Sequence, residues 1–370
     1  MLAIFQHALR VAPTAAKYIT TLLLLLNAGS FPFVWHIRVL SAVFEQYLAL
    51  QWHRLSHFYL GKEKKREALI EWYEGRQPIG VHPFRAVWTY RRWVGFDDGD
   101  FYLHMSNSSY AKALDSARFR LALATFPNLF RCGGWVALAA THFHFVREIP
   151  VLSAYEVRTT VESPPSSHGS IIWCISRFVK PPSKTTKSIS AQSFTDGLVT
   201  QQANEVLEVN RTPDGIKEAD AVTRALLERA ARATESDGAM LYTVAVSQLC
   251  YKHGRITVPP AIVLAANGFY AAPAADSTLT SSSAGGGYPH YWPAVRTLTA
   301  SMPALAKFYA GGWRDVPEGG RWWEDAFMAC EAERLERLVP FVGSEMENEG
   351  LIAQRRGGLA GGLEGVRRLV

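Results

Sequence analysis

The stretch DGDFYLHMSNSSY, residues 98–110, decides the fold of this 370-residue chain. Before it, residues 84–94 (FRAVWTYRRWV) are aromatic and β-branched with roughly alternating polarity, which is typical of a strand. After it, apolar residues recur at helical spacing from Tyr110 to about Phe126 and predict a buried helix. The stretch is therefore predicted to be a polar loop that joins a strand to an apolar helix.

Several further strands are predicted beyond this helix. The β-branched and aromatic segments lie at residues 135–149, 153–162, 170–179 and 240–252. Residues 255–265 continue the last of these, with the pair Pro259-Pro260 marking a strand end. One long helix followed by successive strands predicts an α+β fold in which an antiparallel sheet wraps the helix.

The motif Asp98-x-Asp100-x-x-x-His104-x-x-Asn107-x-x-Tyr110, set between a strand and an apolar helix, resembles the signature of hotdog-fold thioesterases. It is similar to the 4-hydroxybenzoyl-CoA thioesterase type and to thioesterase-superfamily proteins. This resemblance implies a hotdog fold, in which an antiparallel sheet wraps one long helix.

Two later patterns are similar to those of a fungal thioesterase-like branch. They are Tyr251-Lys-x-Gly-Arg-Ile-x-Val-Pro-Pro260 and Gly312-Trp-Arg-x-Val-Pro-Glu318 with Trp322-Trp-Glu-Asp325. The resemblance covers roughly residues 80–330. It also implies a homodimer, because single hotdog domains usually pair with the active site at their interface.

The resemblance implies hydrolysis of an acyl thioester carried by CoA or by an acyl carrier protein, in fatty-acid or polyketide and other secondary metabolism. It assigns the catalytic carboxylate to Asp100, with His104 and Asn107 orienting water or the carbonyl. The chemistry suits these residue types, since a carboxylate acts as base or nucleophile and a helix N-terminus stabilises an oxyanion. The alternative role for Asp100 is that of a turn or helix-capping residue.

Ser106 departs from the family pattern, which has an asparagine at this position. This departure and the apolar N-terminus keep one other function open, and the resemblance to fungal proteins of secondary metabolism keeps open another. One is a non-catalytic hotdog scaffold that binds acyl chains or a membrane partner. The other is a dehydratase or isomerase of polyketide intermediates, with Asp100 and His104 as the facing acid–base pair.

Basic residues at predicted strand ends are candidates for binding the phosphates of CoA. They include Arg147, Lys252 and Arg255, and the alternative for each is a solvated strand end. No other cofactor is expected. His142 and His144 share a strand face but lack a third metal ligand in the sequence. The net charge of +6 is scattered, which argues against nucleic-acid binding.

The N-terminal region raises the question of membrane contact. Residues 18–37 carry no formal charge, but Asn27 and Pro32 weaken a spanning helix. Residues 33–60 mix aromatic and basic side chains in a way that suits a membrane interface. The alternative is a pair of helices buried against the fold. Four dispersed cysteines indicate reduced thiols, so we expect a cytoplasmic protein that associates with membrane through this segment.

The predicted organisation has four parts. Residues 1–78 form a helical segment, and residues 79–270 form the hotdog domain with an insertion at about 180–238. Residues 271–287 are a low-complexity linker, and residues 288–370 form an extension that docks on the domain through its tryptophans.

Overall fold

The computed structural model describes residues 2–161, 170–182, 237–271 and 288–327, together with scattered residues from 223 to 235. Most of the predicted insertion, nearly all of the predicted linker and the chain from residue 328 onward lie outside the described residues.

The described elements follow the predicted order, with helices at both ends of a sheet domain. The helices are α1 (Leu2–Leu26), α2 (Val34–Ser56), α3 (Lys62–Glu74), α4 (Asn107–Thr125), α5 (Pro127–Arg131), α6 (Pro260–Ala266), α7 (Trp292–Thr299), α8 (Met302–Tyr309) and α9 (Trp322–Asp325). The strands are β1 (Trp88–Trp93), β2 (Trp135–Phe145), β3 (Ala154–Val161), β4 (Ile172–Lys180), β5 (Met240–His253) and β6 (Ile256–Val258).

The strands form one antiparallel sheet in the order β1-β3-β4-β5-β2, with β6 paired to β5. Helix α4 packs on this sheet, because Leu114 on the helix and Val157 and Phe178 on the strands are fully buried in one cluster. Burying each such side chain contributes about 1.5–3 kcal/mol. The predicted α+β fold, with a sheet wrapped around one long helix, is confirmed.

The start of α4 and the type of the element after Pro259 differ from the sequence-based predictions. Helix α4 begins at Asn107 rather than Tyr110, because the extended Ser106 already occupies the N-cap position. The stretch after Pro259 is a helix, α6, rather than the end of a strand. Pro260 suits the first position of a helix, and all seven residues of α6 are buried. A short and uniformly apolar run shows no periodicity that separates a helix from a strand.

The N-terminal helices sit on the domain through α2. Arg120 of α4 donates to Ser41 Oγ at 2.8 Å and to both oxygens of Glu45 at 2.9 and 3.1 Å. The turn Ala28–Ser30 between α1 and α2 lies against the segment 96–98. There Gly29 lies against the Asp97 carboxylate, which would have to shift to admit a Cβ at this position. Within the described part of the chain, no helix has the length and apolar character to span a bilayer.

The described part of the C-terminal extension contacts α3 through one buried carboxylate. Arg296 donates to both oxygens of Glu74 at 2.6 and 2.5 Å. Trp292 Nε1 and the Tyr288 hydroxyl donate to the same carboxylate at 3.2 Å each. Burial alone raises the pKa of Glu74, but these hydrogen bonds outweigh it and hold the pKa below its ordinary value. Helix α3 therefore connects the N-terminal helices with the described part of the C-terminal extension.

Candidate functional site

The site loop, residues 96–106, closes on itself between β1 and α4. The backbone N–H of Asp100 donates to His104 O at 2.8 Å, and Leu103 donates to Asp100 O at 3.1 Å. Leu103 adopts a φ of 63° to close this turn. The N–H of Met105 then donates to Ile149 O, which ties the loop to the connection between β2 and β3.

The two carboxylate oxygens of Asp100 have different surroundings. Its Oδ1 accepts hydrogen bonds from the backbone N–H groups of Tyr102 at 2.9 Å and His104 at 3.2 Å. Its Oδ2 receives no hydrogen bond from a residue that the structure describes, and the side chain is half-buried. Asp100 therefore fixes the loop with one oxygen and keeps the other available for a reaction.

Asp98 anchors the loop to the sheet instead of facing solvent. It is 2% exposed and accepts from Arg92 Nη2 at 2.7 Å. Its carbonyl oxygen accepts from Ser106 N at 2.9 Å, which holds the start of α4 against the loop. This use in a buried ion pair makes Asp98 a structural residue.

The N-terminus of α4 presents unpaired donors next to the loop. The Ser106 side chain does not cap the helix, because its hydroxyl bonds the hydroxyls of Ser108 and Ser109. The N–H groups of Asn107 and Ser108 have no acceptor among the described residues. Asn107 is exposed. Two free N–H groups at the positive end of a helix dipole are suited to an oxyanion.

His104 has a partner that the sequence analysis did not identify. Its Nδ1 lies 3.0 Å from Glu148 Oε2, with His104 35% and Glu148 73% exposed. The pairing arises because the backbone of His104 bridges to Pro150, next to the end of β2. Glu148 lies 44 residues away in the sequence and outside the motif, so no local signal marks it.

Tyr110, the last residue of the motif, is 2% exposed and faces the core. Its ring meets those of Phe145 and Phe178 edge-on, with centroids 5.2 and 5.1 Å apart. Burial raises the pKa of its hydroxyl above the ordinary value. Its role is packing of α4 on the sheet.

The three predicted basic residues do not meet within one chain. Arg147 is exposed and adjoins Glu148, and its backbone N–H donates to Tyr242 O at the start of β5. Lys252 and Arg255 lie at the other end of β5, where Lys252 Nζ donates to Thr257. Tyr242 and Lys252 are ten residues apart on β5, which corresponds to about 33 Å of strand. Of the three, Arg147 is the one that adjoins a residue in contact with the site loop, since its neighbour Glu148 pairs with His104.

The arrangement combines a carboxylate, an imidazole with a carboxylate partner, and free helix N–H groups. Such a set can activate water, donate a proton and stabilise an oxyanion. Within the described residues, no group of three histidine, cysteine or acidic side chains is placed to hold a metal ion. His142 and His144 lie on β2.

The solved structures to which this chain is similar have low sequence identity to it. The chain is similar to a 1,4-dihydroxy-2-naphthoyl-CoA thioesterase from Synechocystis (11% identity, 47% of this chain and 89% of that one, TM-score 0.27). It is also similar to the dynemicin thioesterase (12%, 50% and 100%, TM-score 0.29) and to a hypothetical protein from Thermus thermophilus (12%, 46% and 88%, TM-score 0.28).

The search of curated proteins finds no match. Residues 94–219, about a third of the chain, match the family model of the thioesterase-like superfamily. The matched segment contains the site loop and all of α4. Residues 94–219 are therefore similar to the thioesterase-like superfamily.

Proposed function

We propose that the protein hydrolyses an acyl thioester carried by CoA or by an acyl carrier protein. The observation that carries this proposal is a loop that holds an open carboxylate oxygen on Asp100 and leads directly into a helix whose first N–H groups, those of Asn107 and Ser108, are unpaired among the described residues. A thioester hydrolase needs these two elements on either side of the carbonyl.

The reaction follows from these positions. Asp100 takes a proton from water as the water oxygen attacks the thioester carbonyl carbon. The N–H groups of Asn107 and Ser108 stabilise the oxyanion that forms. The C–S bond then breaks, and the departing thiolate receives a proton, which leaves a free acid and a free thiol. His104 donates this proton to the thiolate, and Glu148 positions the His104 imidazole. Direct attack by Asp100 on the carbonyl carbon is the alternative first step.

Thiol release from a panel of acyl-CoA and acyl-carrier-protein esters tests the proposed reaction. We expect the purified full-length chain to release thiol from at least one ester well above the uncatalysed rate. Conversion of an acyl group with the thioester intact would support the dehydratase or isomerase alternative. Binding without any conversion would support the acyl-binding scaffold.

The position of Arg147 leads to a prediction about CoA binding. Arg147 is exposed and adjoins Glu148, the partner of His104, and CoA carries several phosphates. We expect Arg147→Gln to raise the KM for a CoA ester several-fold at low salt with little change in kcat. The matched control is the double variant Lys252→Gln with Arg255→Gln. A rise of KM in the double variant alone would place the CoA phosphates at the other end of β5.

We also propose that the chain forms a homodimer, as the resemblance implies. Strand β2 is an edge of the sheet, and it leaves Trp135 49% and Leu138 48% exposed. The tip of the site loop exposes Phe101 (84%), Tyr102 (68%) and Leu103 (63%). Long apolar edges and loop tips of this kind favour pairing with a second chain. Light scattering on the purified protein should give twice the chain mass of 41.1 kDa, and a monomer mass would refute the proposal.

Contact between the N-terminal helices and a membrane surface is a further part of the proposal. Many large apolar side chains of α1 and α2 are exposed, including Leu22, Leu25 and Trp52. No acidic residue precedes Glu45 in the sequence, whereas this stretch contains three basic residues. An apolar, cationic surface suits an anionic lipid bilayer at the cytoplasmic side. We expect the protein to sediment with vesicles containing phosphatidylserine. High salt should release only part of the bound protein, because it screens the charges but not the apolar contacts. Absence from the vesicle pellet at low salt would contradict this.

A further inference from the structure

Helix α2 presents an apolar stripe to its surroundings. The members of the stripe recur at helical spacing along one side of α2, and each side chain is at least half exposed. They are Ile37, Leu40, Phe44, Tyr47, Leu48 and Leu55. The first and last members are 18 residues apart, which corresponds to about 27 Å of helix. A continuous exposed stripe of this length indicates a surface that binds a partner.

Another side of α2 is fixed on the sheet domain. Ala42 is buried, and Arg120 of α4 donates to Ser41 and Glu45. Glu45 is the one acidic residue of α2, and the charge of Arg120 balances it. The contact with α4 therefore fixes the direction in which the stripe faces, and α2 has no other acidic side chain beside the stripe.

The C-terminal end of α2 adds aromatic and basic side chains to this surface. Phe58 and Tyr59, in the turn before α3, are 69% and 71% exposed. Residues 54–66 contain five exposed basic side chains and one acidic side chain, Glu63. The basic residues are Arg54, Lys62, Lys64, Lys65 and Arg66. Aromatic and basic side chains beside an apolar helix face are typical of an element that lies on an anionic lipid bilayer.

The N-terminal end of α2 adjoins the site loop. In the turn before α2, Gly29 lies against the Asp97 carboxylate of that loop. Phe31 and Phe33, between this turn and the helix, are 45% and 72% exposed. Asp97 is three residues before Asp100. A bilayer that contacts α2 along its stripe therefore also comes close to the loop that carries Asp100.

The chain length of an acyl-CoA decides whether it shares this surface with the protein. Each methylene of the chain favours transfer from water into lipid, so a long acyl chain stays in the bilayer while its CoA group stays in water. A short acyl-CoA stays in solution. Binding of the enzyme to the bilayer therefore raises the local concentration of long-chain esters at the site loop and leaves that of short-chain esters unchanged.

We infer that α2 lies on an anionic bilayer through its apolar stripe and that the site loop acts on a long-chain acyl-CoA whose chain is held in the same bilayer. The inference rests on the proposed function for the reaction and for the contact with a membrane. It adds the side of α2 that makes this contact and the class of substrate.

Thiol release in the presence of vesicles tests the substrate class. The substrates are hexadecanoyl-CoA and octanoyl-CoA below their KM, with vesicles of phosphatidylcholine alone or with about 30% phosphatidylserine. We expect the anionic vesicles to raise the rate on hexadecanoyl-CoA at least about fivefold over the neutral vesicles, and to leave the rate on octanoyl-CoA unchanged. The neutral vesicles control for partitioning of the substrate itself. Equal rates on hexadecanoyl-CoA with the two kinds of vesicle would overturn the inference.

A double variant tests the stripe. Phe44→Glu with Leu48→Glu places two negative charges in it, at exposed positions. The matched control, Val43→Glu with Gln46→Glu, makes the same change of charge at exposed positions of α2 outside the stripe. We expect the stripe variant to lose both sedimentation with anionic vesicles and the gain in rate, with an unchanged thermal unfolding midpoint. The control variant should keep all three properties, and equal losses in the two variants would overturn the assignment.

Sedimentation and thiol release together separate this inference from the proposed reaction. Sedimentation that depends on the stripe, without thiol release from any ester, would refute the hydrolase and keep α2 as the bilayer contact. Thiol release from octanoyl-CoA, without an effect of anionic vesicles on hexadecanoyl-CoA, would keep the hydrolase and overturn the inference. A change of oligomer mass in the stripe variant, with sedimentation unchanged, would assign the stripe to a second copy of the chain and would also overturn it.

Discussion

Replacing Asp100 by asparagine should lower thioester hydrolysis at least about 100-fold while leaving the fold intact. The asparagine side-chain oxygen can still accept from the N–H groups of Tyr102 and His104, as Oδ1 does in the native loop. The amide has no basic or nucleophilic oxygen to replace Oδ2. The measurement is kcat for the best ester of the panel, together with the thermal unfolding midpoint, which should stay within a few degrees of the unaltered protein.

Two further variants make this result specific. Asp97→Asn removes a charge from the same loop, but Asp97 faces Gly29 of the N-terminal turn, so kcat should be unchanged. Glu148→Gln should lower kcat about tenfold with little change in KM, because Glu148 acts only through His104. Hydrolysis that survives in Asp100→Asn would move catalysis to another group, with His104 the next candidate.

Replacing Arg296 by alanine should destabilise the protein by about 1.5–3 kcal/mol. The substitution removes Arg296 from a carboxylate that is 8% exposed and leaves Trp292 and Tyr288 as its donors among the described residues. An uncompensated buried charge costs more than the ion pair contributes. Urea unfolding followed by tryptophan fluorescence measures the change, since Trp292 lies in this contact.

The asymmetry of this ion pair provides the control. Glu74→Gln leaves Arg296 unpaired, but that side chain is 47% exposed and can be hydrated, so the loss should be smaller. Arg314→Ala, at an exposed arginine of the same extension, should cost no more than about 1 kcal/mol. Equal effects of Arg296→Ala and Arg314→Ala would show that the extension does not depend on Glu74.

The same contact predicts how stability depends on pH. The folded-state pKa of Glu74 lies below its ordinary value of 4.5. The carboxylate therefore contributes stability at pH values above 4.5, and this contribution is lost as pH falls through the folded-state pKa. In Arg296→Ala this loss should shift to higher pH, because the charged form has lost its main partner.

The site loop and α4 could be predicted from the sequence because their determinants are local. Asp100, His104 and Asn107 lie within eight residues, and hydrogen bonds inside this loop bring them to the start of α4. The helix is marked by apolar residues at a spacing of three to four, and Leu114 is fully buried. Patterns of this kind predict structure from residues that are close together in the sequence.

The rest of the site depends on contacts that sequence spacing does not encode. Glu148 reaches His104 because the connection between β2 and β3 pairs with the loop. Lys252 and Arg147 look equivalent as basic strand ends, yet the length of β5 separates them. Strand order and register had to be known before any of these could be predicted.

The most direct test of the central claim is to identify the product by mass spectrometry after the full-length protein has acted on an acyl-CoA ester in H₂¹⁸O. Hydrolysis at the site loop predicts free thiol and a free acid whose carboxylate carries ¹⁸O over many turnovers, with the yield collapsing in Asp100→Asn. An acyl-CoA that remains a thioester, whether unchanged or dehydrated, would contradict the account.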